Sequence, residues 1–214
     1  MHPLERIGVI GDVHTCDVLP ETAIGLLTAQ GLPIFSTGDV VDGPGDVHKC
    51  ISLLREQGVR VVRGNHDEWF SKGFMRGSAQ DSLKTTQPGE LARTELEYVN
   101  TLPSKITIET TIGPVLLCHG IGENNMNKIN PDDYGYAIEV NNDLQNLIRG
   151  RKYKVIISGH SHKKMVGAFS GLVVINAGSL VGQPGFLVVD FGRKRVEFYS
   201  FDGSTPKKEK VVFF

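Results

Sequence analysis

Residues 6–14 read RIGVIGDVH, a short β-branched run that ends in glycine and passes directly into an aspartate and a histidine. Short runs of this kind bounded by glycine are typical of buried parallel strands. In an open parallel sheet, the loops that leave the carboxyl ends of the strands converge on one crevice, where ligands bind. Asp12 and His14 are therefore expected at such an edge. A strand period of two would place both side chains on the same side of an extended segment.

Four later segments repeat this pattern of an apolar run followed by a polar cluster. They span residues 33–42, 59–67, 115–120 and 154–162, and together with the first segment they hold five of the seven histidines of the chain. Each cluster alone has an ordinary explanation, because Gly, Asp and Asn are common in turns and a single histidine is often an interior residue. Five clusters that all lie at predicted strand ends are better explained by one shared site.

The order of the predicted elements indicates a mixed α/β protein that forms a single domain over residues 1–214. Alternation in the first half favours parallel strands with right-handed crossovers, and the second half is richer in hairpins. Strands are predicted at 5–11, 33–37, 59–63, 105–111, 114–118, 153–158, 165–169, 172–176, 185–191, 194–201 and near 210–214. Helices are predicted near 20–30, 45–57, 89–100 and 138–150. The polar segments 69–88 and 120–137 are predicted to be lid loops beside the site.

The composition excludes several classes of function. A net charge of −1 gives no electrostatic footprint for dedicated nucleic-acid binding, although a nucleotide substrate is compatible with it. Three widely spaced cysteines argue against a disulfide framework. Neither a signal peptide nor a membrane span is visible, so we expect a cytoplasmic protein with no membrane partner.

The residue types in the clusters point to transition-metal chemistry. A mixed set of imidazole and carboxylate ligands suits Mn²⁺, Fe, Zn²⁺ or Co²⁺ better than Ca²⁺ or an all-sulfur site. Two such metals about 3.5–4 Å apart can hold the attacking and leaving oxygens of a displacement at phosphorus. The pair His160-x-His162 could also open a metallo-β-lactamase or amidohydrolase site. A metallo-β-lactamase would continue with His-x-Asp-His, whereas residues 163–165 are Lys-Lys-Met.

The combined motifs resemble the calcineurin-like metallophosphoesterase superfamily. They cover residues 6–165 in the family's order and with approximately its spacing, and they are Asp12-x-His14, Gly38-Asp39-x-x-Asp42, Gly64-Asn65-His66-Asp67, Cys118-His119-Gly120 and Gly159-His160-x-His162. The resemblance implies a four-layer α/β/β/α sandwich with two mixed β-sheets. It also implies a metal-dependent hydrolase with two divalent cations, for which we expect Mn²⁺, with Fe, Zn²⁺, Co²⁺ or Ni²⁺ as alternatives.

The resemblance assigns a role to each motif residue. Asp12, His14 and His162 would bind the first metal, Asn65, His119 and His160 the second, and Asp39 would bridge both. A water or hydroxide shared by the metals would be the nucleophile. His66 would protonate the leaving oxygen as general acid, and Asp42 would orient it. Arg63 is a candidate phosphate contact, with a structural salt bridge as its equally weighted alternative, and Asp67 is at least as easily a structural residue of the turn.

Departures from the family pattern narrow the expected function. The expected substrate is a small phosphomonoester or phosphodiester, with nucleotides among the candidates. Protein serine/threonine phosphatases of the superfamily carry an arginine after the second motif, where this chain has Gly43-Pro44, yet a phosphatase of that type stays an alternative. A non-catalytic scaffold is a further alternative, although scaffold relatives often have cysteine where His66 stands.

Overall fold

The computed structural model describes residues 2–74, 84–87 and 89–214. The strands in chain order are β1 (Arg6–Ile10), β2 (Ile34–Ser36), β3 (Arg60–Val61), β4 (Lys105–Thr110), β5 (Gly113–Cys118), β6 (Val155–Ser158), β7 (Met165–Phe169), β8 (Leu172–Asn176), β9 (Gly185–Asp190), β10 (Arg195–Asp202) and β11 (Thr205–Phe213). The helices are α1 (Val18–Ala29), α2 (Val47–Glu56), α3 (Asn65–Lys72), α4 (Arg93–Thr101), α5 (Tyr136–Glu139) and α6 (Asn142–Gly150). None of these helices has the length and apolar character needed to cross a membrane.

The strands form two mixed sheets. The first has six strands in the order β11-β10-β9-β1-β2-β3, and the second has five in the order β4-β5-β6-β8-β7. The pairs β1–β2, β2–β3, β5–β6 and β6–β8 are parallel, and the other described pairs are antiparallel. The predicted fold class of two mixed sheets with flanking helices is therefore confirmed.

Three apolar clusters fill the spaces between the layers. The central cluster joins the two sheets and includes Val9 of β1 and Leu117 of β5. An outer cluster packs α1 and α2 on the first sheet, and another packs α6 on the second. Neighbouring residues on a strand point to opposite faces, so Ile10 and Leu116 belong to the outer clusters. The central strands are consequently apolar on both faces, as buried parallel strands are.

Helix α3 was not predicted as a helix, several predicted ends are shifted by a few residues, and two further elements differ more. The helix predicted over 138–150 is two helices, because the Asn141 side chain accepts a hydrogen bond from the Leu144 amide and begins α6 as its N-cap. The final strand, predicted near 210–214, is the longer β11. Its lysines lie on an edge strand where their side chains reach solvent, so a polar run there is compatible with pairing to β10.

Candidate metal centre

The predicted ligand residues lie at the carboxyl ends of strands from both sheets. Asp12, Asp39 and Asn65 follow β1, β2 and β3, whereas His119, His160 and His162 follow β5 and β6. Each set of strands is parallel, so each sheet delivers its polar loops to one edge. Hydrogen bonds join the two edges, including one from the His160 amide to Asp12 Oδ2 at 2.8 Å. The site therefore forms between two sheets and not in the crevice of one.

Asp12, His14, Asp39 and His162 form a compact first donor group. One donor atom from each residue lies within 4.8 Å of those of the others. The two Nε2 atoms of His14 and His162 are 3.1 Å apart, and His162 Nε2 is 3.3 Å from Asp12 Oδ2. His14 Nδ1 lies 2.9 Å from the Asp42 carbonyl, so a neutral His14 keeps its proton there and turns the Nε2 lone pair toward the group.

His119 is the centre of a second donor group. Its Nδ1 atom lies 2.8 Å from the Thr37 carbonyl, and its Nε2 atom lies 2.8 Å from Asn65 Oδ1 and 3.4 Å from Asp39 Oδ2. The His160 ring packs against it with 5.2 Å between centroids. A neutral imidazole has one ring proton, and the Thr37 carbonyl accepts it. The Nε2 lone pair then faces two acceptor oxygens, so a cation, either a proton or a metal ion, has to lie between them.

Asp39 lies where the two groups meet. Its Oδ2 atom is 3.7 Å from His14 Nε2, 3.4 Å from His119 Nε2 and 4.0 Å from His66 Nε2. Its Oδ1 atom accepts a hydrogen bond from the His66 amide at 2.9 Å. The residue is 1% exposed, and this burial raises its pKa well above the ordinary value. A neighbouring cation would offset that burial, so the residues present fit a metal ion.

Burial also controls the protonation of the histidines. Burial lowers the pKa of His14 to about 4 and that of His160 to about 4. Both are neutral near pH 7 and can bind a metal without first losing a proton. Burial would also lower the pKa of His162, but its contact with Asp12 outweighs burial and raises it. Burial would raise the pKa of Asp12, but the surrounding histidines outweigh it and hold the carboxylate ionised.

The ligand loops have an unusual backbone conformation. Nine non-glycine residues among those described have positive φ, and six of them are in these loops: His14, Thr15, Asp39, Asp42, His160 and His162. Such conformations cost about 1–3 kcal/mol each and cluster at functional sites. The expectation that Asp12 and His14 share one side of an extended segment was therefore wrong, because the segment is not extended at His14. The chain turns at His14, with φ of 48°, and the turn brings its side chain to Asp12.

Two motif glycines allow the carboxylates to pack against the backbone. A Cβ atom at Gly64 would overlap the Asp39 carboxylate, and one at Gly159 would overlap the Asp12 carboxylate. At these two positions glycine is thus required by the close approach of a carboxylate from another loop. This contact explains why glycine and ligand occur together in the sequence.

Two supporting residues hold the ligand loops in place, and one of them, Thr37, was not predicted from the sequence. The Thr37 hydroxyl donates to Asp12 Oδ1 at 2.7 Å. Asp67 accepts hydrogen bonds from the amides of Val40 and Gly64, at 2.8 and 2.9 Å, and so ties the second motif to the third. These contacts give Asp67 a structural role in the turn. Thr37 directly precedes Gly38 at the end of β2, and its position beside a ligand motif is the signal that could have indicated it.

His66 and Asp42 form a buried pair beside the donor groups. His66 Nδ1 is 3.0 Å from Asp42 Oδ2, and the two residues are 6% and 2% exposed. The His66 ring lies edge-on to His14, with 4.8 Å between centroids, and 5.1 Å from Trp69. With Nδ1 directed at a carboxylate, the Nε2 atom is the one turned toward the donor groups. The predicted general acid and its orienting carboxylate are therefore brought together.

The model of the calcineurin-like phosphoesterase superfamily domain matches residues 6–194. The chain belongs to this superfamily. The match includes every predicted motif and nine of the eleven described strands, β1 to β9.

Other proteins share part of the sequence or the fold of this chain. The chain is 30% identical over 87 residues to serine/threonine-protein phosphatase 1 of Salmonella typhimurium strain LT2, which covers 40% of this chain and 39% of that protein. The chain thus spans well under half the length of this curated relative. Its fold is similar to that of hypothetical protein PH1004 from Pyrococcus horikoshii OT3, with a TM-score of 0.70, 17% identity and coverage of 92% and 89% of the two chains. It is also similar to a metallophosphoesterase from Sphaerobacter thermophilus, with a TM-score of 0.66, 21% identity and coverage of 94% and 89%.

Arg63, the predicted phosphate contact, precedes the third superfamily motif. Its amide donates to the Pro103 carbonyl at 2.7 Å, and its charge acts on Glu68 of α3. The side chain is half-buried. A phosphate contact by Arg63 stays a prediction.

The two predicted lid loops are more structured than expected where they are described. Residues 69–72 belong to α3, and residues 75–83 and 88 lie outside the described residues. In segment 120–137, Ile129 is 2% exposed and the Asn125 side chain bonds to Glu68 of α3. Lys128 of this segment acts electrostatically on His160. The segment is therefore anchored beside the site of this superfamily member.

Proposed function

We propose that the protein hydrolyses small phosphomonoesters or phosphodiesters, including nucleotides, with two divalent metal ions. The observation that carries the proposal is the compact donor group of Asp12, His14, Asp39 and His162 beside the His66–Asp42 pair. The donor group suits metal binding, and the His66–Asp42 pair suits proton transfer. Membership of a phosphoesterase superfamily supports the combination.

The two donor groups correspond to two metal positions. Asp12, His14 and His162 would bind the first ion, and Asn65, His119 and His160 would bind the second. The position of Asp39 Oδ2, 3.7 Å from His14 Nε2 and 3.4 Å from His119 Nε2, supports a bridging role for this carboxylate. The mixed oxygen and nitrogen ligands suit Mn²⁺, which we propose as the working metal.

Bound cations would supply an activated water and would neutralise charge on the phosphoryl group. The chain's own residues supply the proton that the leaving oxygen needs. His66 holds one ring nitrogen against Asp42 at 3.0 Å, and this contact orients the ring. The other ring nitrogen faces the donor groups and can deliver its proton to a leaving oxygen there. Lys128 and Arg63 would add positive charge around an anionic substrate.

The first test is turnover of p-nitrophenyl phosphate and of its bis-ester in parallel, with added Mn²⁺. Preference for the monoester would make the protein a phosphatase, and preference for the diester would make it a phosphodiesterase. Each result directs the next substrate screen, to nucleotides or to cyclic and other diesters. No turnover of either ester by protein with metal bound, followed by none in those screens, would contradict the proposal and favour a scaffold role.

A second candidate function is dephosphorylation of phosphoserine or phosphothreonine in proteins. The similarity to serine/threonine-protein phosphatase 1 over 87 residues favours it. The glycine at position 43, where such phosphatases carry an arginine, counts against it. A phosphopeptide assay under the same conditions separates the two, because a protein phosphatase should prefer the peptide to p-nitrophenyl phosphate.

A further inference from the structure

Thr86 makes two reciprocal hydrogen bonds with Asp42. The Thr86 amide donates to Asp42 Oδ1 at 2.7 Å, and the Asp42 amide donates to the Thr86 hydroxyl at 3.0 Å. Both residues are buried, with 6% and 2% exposure. Thr86 lies 44 positions from Asp42 in the sequence, in a segment without regular secondary structure. A second loop thus holds the carboxylate that faces His66.

Asp42 needs such support, because it contacts two histidines from a strained backbone. Its φ is 61°, in the left-handed region that non-glycine residues seldom adopt. Its carbonyl lies 2.9 Å from His14 Nδ1, and its Oδ2 atom lies 3.0 Å from His66 Nδ1. The Thr86 hydroxyl accepts a hydrogen bond from the Asp42 amide, and the Thr86 amide donates one to the other carboxylate oxygen, Oδ1. Together they fix both the backbone and the side chain of Asp42.

We propose that Thr86 is a positioning residue for proton delivery by His66. The proposal rests on the proposed function, in which His66 protonates the leaving oxygen. Thr86 itself does not touch the reacting atoms. It fixes the Asp42 carboxylate, and Asp42 fixes the ring orientation and tautomer of His66. Removal of the Thr86 hydroxyl should therefore impair turnover most where the leaving group needs a proton.

The test compares Thr86→Val with Thr86→Ser on two aryl phosphates. Valine keeps the shape but leaves the Asp42 amide without its acceptor, whereas serine keeps the hydroxyl. Phenyl phosphate has a poor leaving group, and p-nitrophenyl phosphate has a good one that needs little proton assistance. Thr85→Val is the matched control, because Thr85 is the exposed neighbour of Thr86 in the same loop.

We expect Thr86→Val to lower kcat on phenyl phosphate by ~10–100-fold, the usual effect of losing an outer hydrogen-bond partner. The loss on p-nitrophenyl phosphate should be several-fold smaller, with KM and bound metal unchanged. Thr86→Ser should restore most of the lost rate, and Thr85→Val should match the wild type. An equal loss on both esters, a loss of metal, or an unchanged kcat would overturn the proposal.

A second measurement keeps this proposal separate from the proposed function. Long-range ¹H–¹⁵N spectra of the metal-free protein, recorded at a pH high enough to leave one proton on the ring, report which ring nitrogen of His66 keeps that proton. We expect the Nδ1–H form in the wild type and in Thr86→Ser, and a mixture of tautomers in Thr86→Val. If the wild type hydrolyses neither these monoesters nor any substrate of the diester and nucleotide screens, the proposed function fails, and the spectra alone decide the role of Thr86. An unchanged His66 spectrum in Thr86→Val would overturn it.

Discussion

At the scale of single residues, the site depends on side chains held in place by contacts that cross loops. Asp39 shows this clearly, because its two carboxylate oxygens face different partners. Oδ1 accepts a hydrogen bond from the His66 amide, and Oδ2 faces the imidazoles of His14 and His119. Its position between the donor groups makes it the residue whose charge both metal ions should need.

The first prediction concerns that charge. Asp39→Asn keeps the shape of the side chain but removes the negative charge, so bound Mn²⁺ and turnover should fall together. Equilibrium dialysis with metal analysis, and assays on p-nitrophenyl phosphate, measure the two effects. Asp202→Asn is the control, because Asp202 is exposed at the end of β10 and should change neither. Retention of two tightly bound metals by Asp39→Asn would remove the bridging role.

The second prediction concerns His66. Asn at this position cannot deliver a proton, but none of the proposed ligands changes. His66→Asn should therefore keep both metals and lose ~10²–10⁴-fold in kcat, the usual contribution of a general acid. Metal analysis and steady-state kinetics on the same preparation test this. Wild-type turnover in the variant would exclude His66 from the mechanism.

The third prediction concerns the contact between Gly159 and Asp12. An alanine Cβ at position 159 would overlap a carboxylate that is already fixed by Thr37 and by the His160 amide. Gly159→Ala should lower the free energy of unfolding by ~1–3 kcal/mol, as overpacking does. It should also weaken metal binding, and urea unfolding and metal titration measure these effects.

Gly25→Ala is the opposite case for comparison. Gly25 is exposed in α1 and has no atom near its would-be Cβ, so alanine should stabilise the protein by ~0.5–1 kcal/mol. If both variants shift stability by the same amount and in the same direction, the close-approach explanation of Gly159 is wrong.

The residue scale also shows where prediction from sequence succeeds and fails. The convergence of the motif residues was predictable because apolar runs mark strand ends, whereas their roles as metal ligands stay predictions. The turn at His14 was not predictable, because its positive φ follows from contacts with another loop. Thr86 was not predictable either, since it lies 44 positions from Asp42 in a polar segment without periodicity.

At the scale of elements, prediction depended on what decides each boundary. The hairpin strands β7 and β8 have the predicted bounds, because two short apolar runs and the Ser170-Gly171 turn between them define the hairpin locally. Helix α2 begins at Val47 because Asp46 accepts hydrogen bonds from two amides in its first turn. The division between α5 and α6 was missed, because the Asn141 cap interrupts an otherwise helical pattern.

The fourth prediction concerns the contact between α2 and α4. His48 Nδ1 lies 3.0 and 2.9 Å from the two carboxylate oxygens of Glu95. Oε2 of Glu95 also accepts a hydrogen bond from the Ala92 amide at the start of α4. The hydrogen bond to Glu95 raises the pKa of His48 above its usual 6.5. Because the folded-state pKa is the higher one, this pair contributes stability below the unfolded pKa and loses it as pH rises through the folded pKa.

His48→Gln tests this linkage. The free energy of unfolding should fall more at about pH 6 than at about pH 9, where wild-type His48 is neutral. Urea unfolding of wild type and variant at both pH values gives the difference. The effect should be modest, because the His48 side chain is 50% exposed and solvent screens the pair. A difference in the free energy of unfolding between wild type and variant that is the same at both pH values would contradict the assignment.

At the scale of the whole molecule, the site lies between two sheets. The sheets share the central apolar cluster, and each sheet packs its other face against an outer cluster of its own. The first sheet supplies Asp12, His14, Asp39 and Asn65, and the second supplies His119, His160 and His162. The sequence predicted strand ends that converge, but local patterns alone indicated only a parallel first half and a second half richer in hairpins. Only the resemblance to the superfamily implied two sheets, because sheet membership depends on pairing between distant strands.

The fifth prediction follows from that architecture. Metal ions bound between the two sheets stabilise only the folded chain, since the unfolded chain has no assembled site. At a Mn²⁺ concentration of about 100 times Kd, the gain is ~2.7 kcal/mol per site. For a chain of this size, ~1 kcal/mol corresponds to a shift in Tm of roughly 2–4 °C. Removal of metal with EDTA should therefore lower Tm by about 5–10 °C for each filled site, and added Mn²⁺ should restore it.

Asp39→Asn makes the test specific. Its Tm should respond much less to EDTA and Mn²⁺ than that of the wild type, because the bridging carboxylate is gone, whereas Asp202→Asn should respond fully. Differential scanning fluorimetry over a series of Mn²⁺ concentrations measures all three proteins under one set of conditions. A wild-type Tm that does not change with metal would mean that the two sheets are held together by the central apolar cluster alone. The donor groups would then not form a tight metal site.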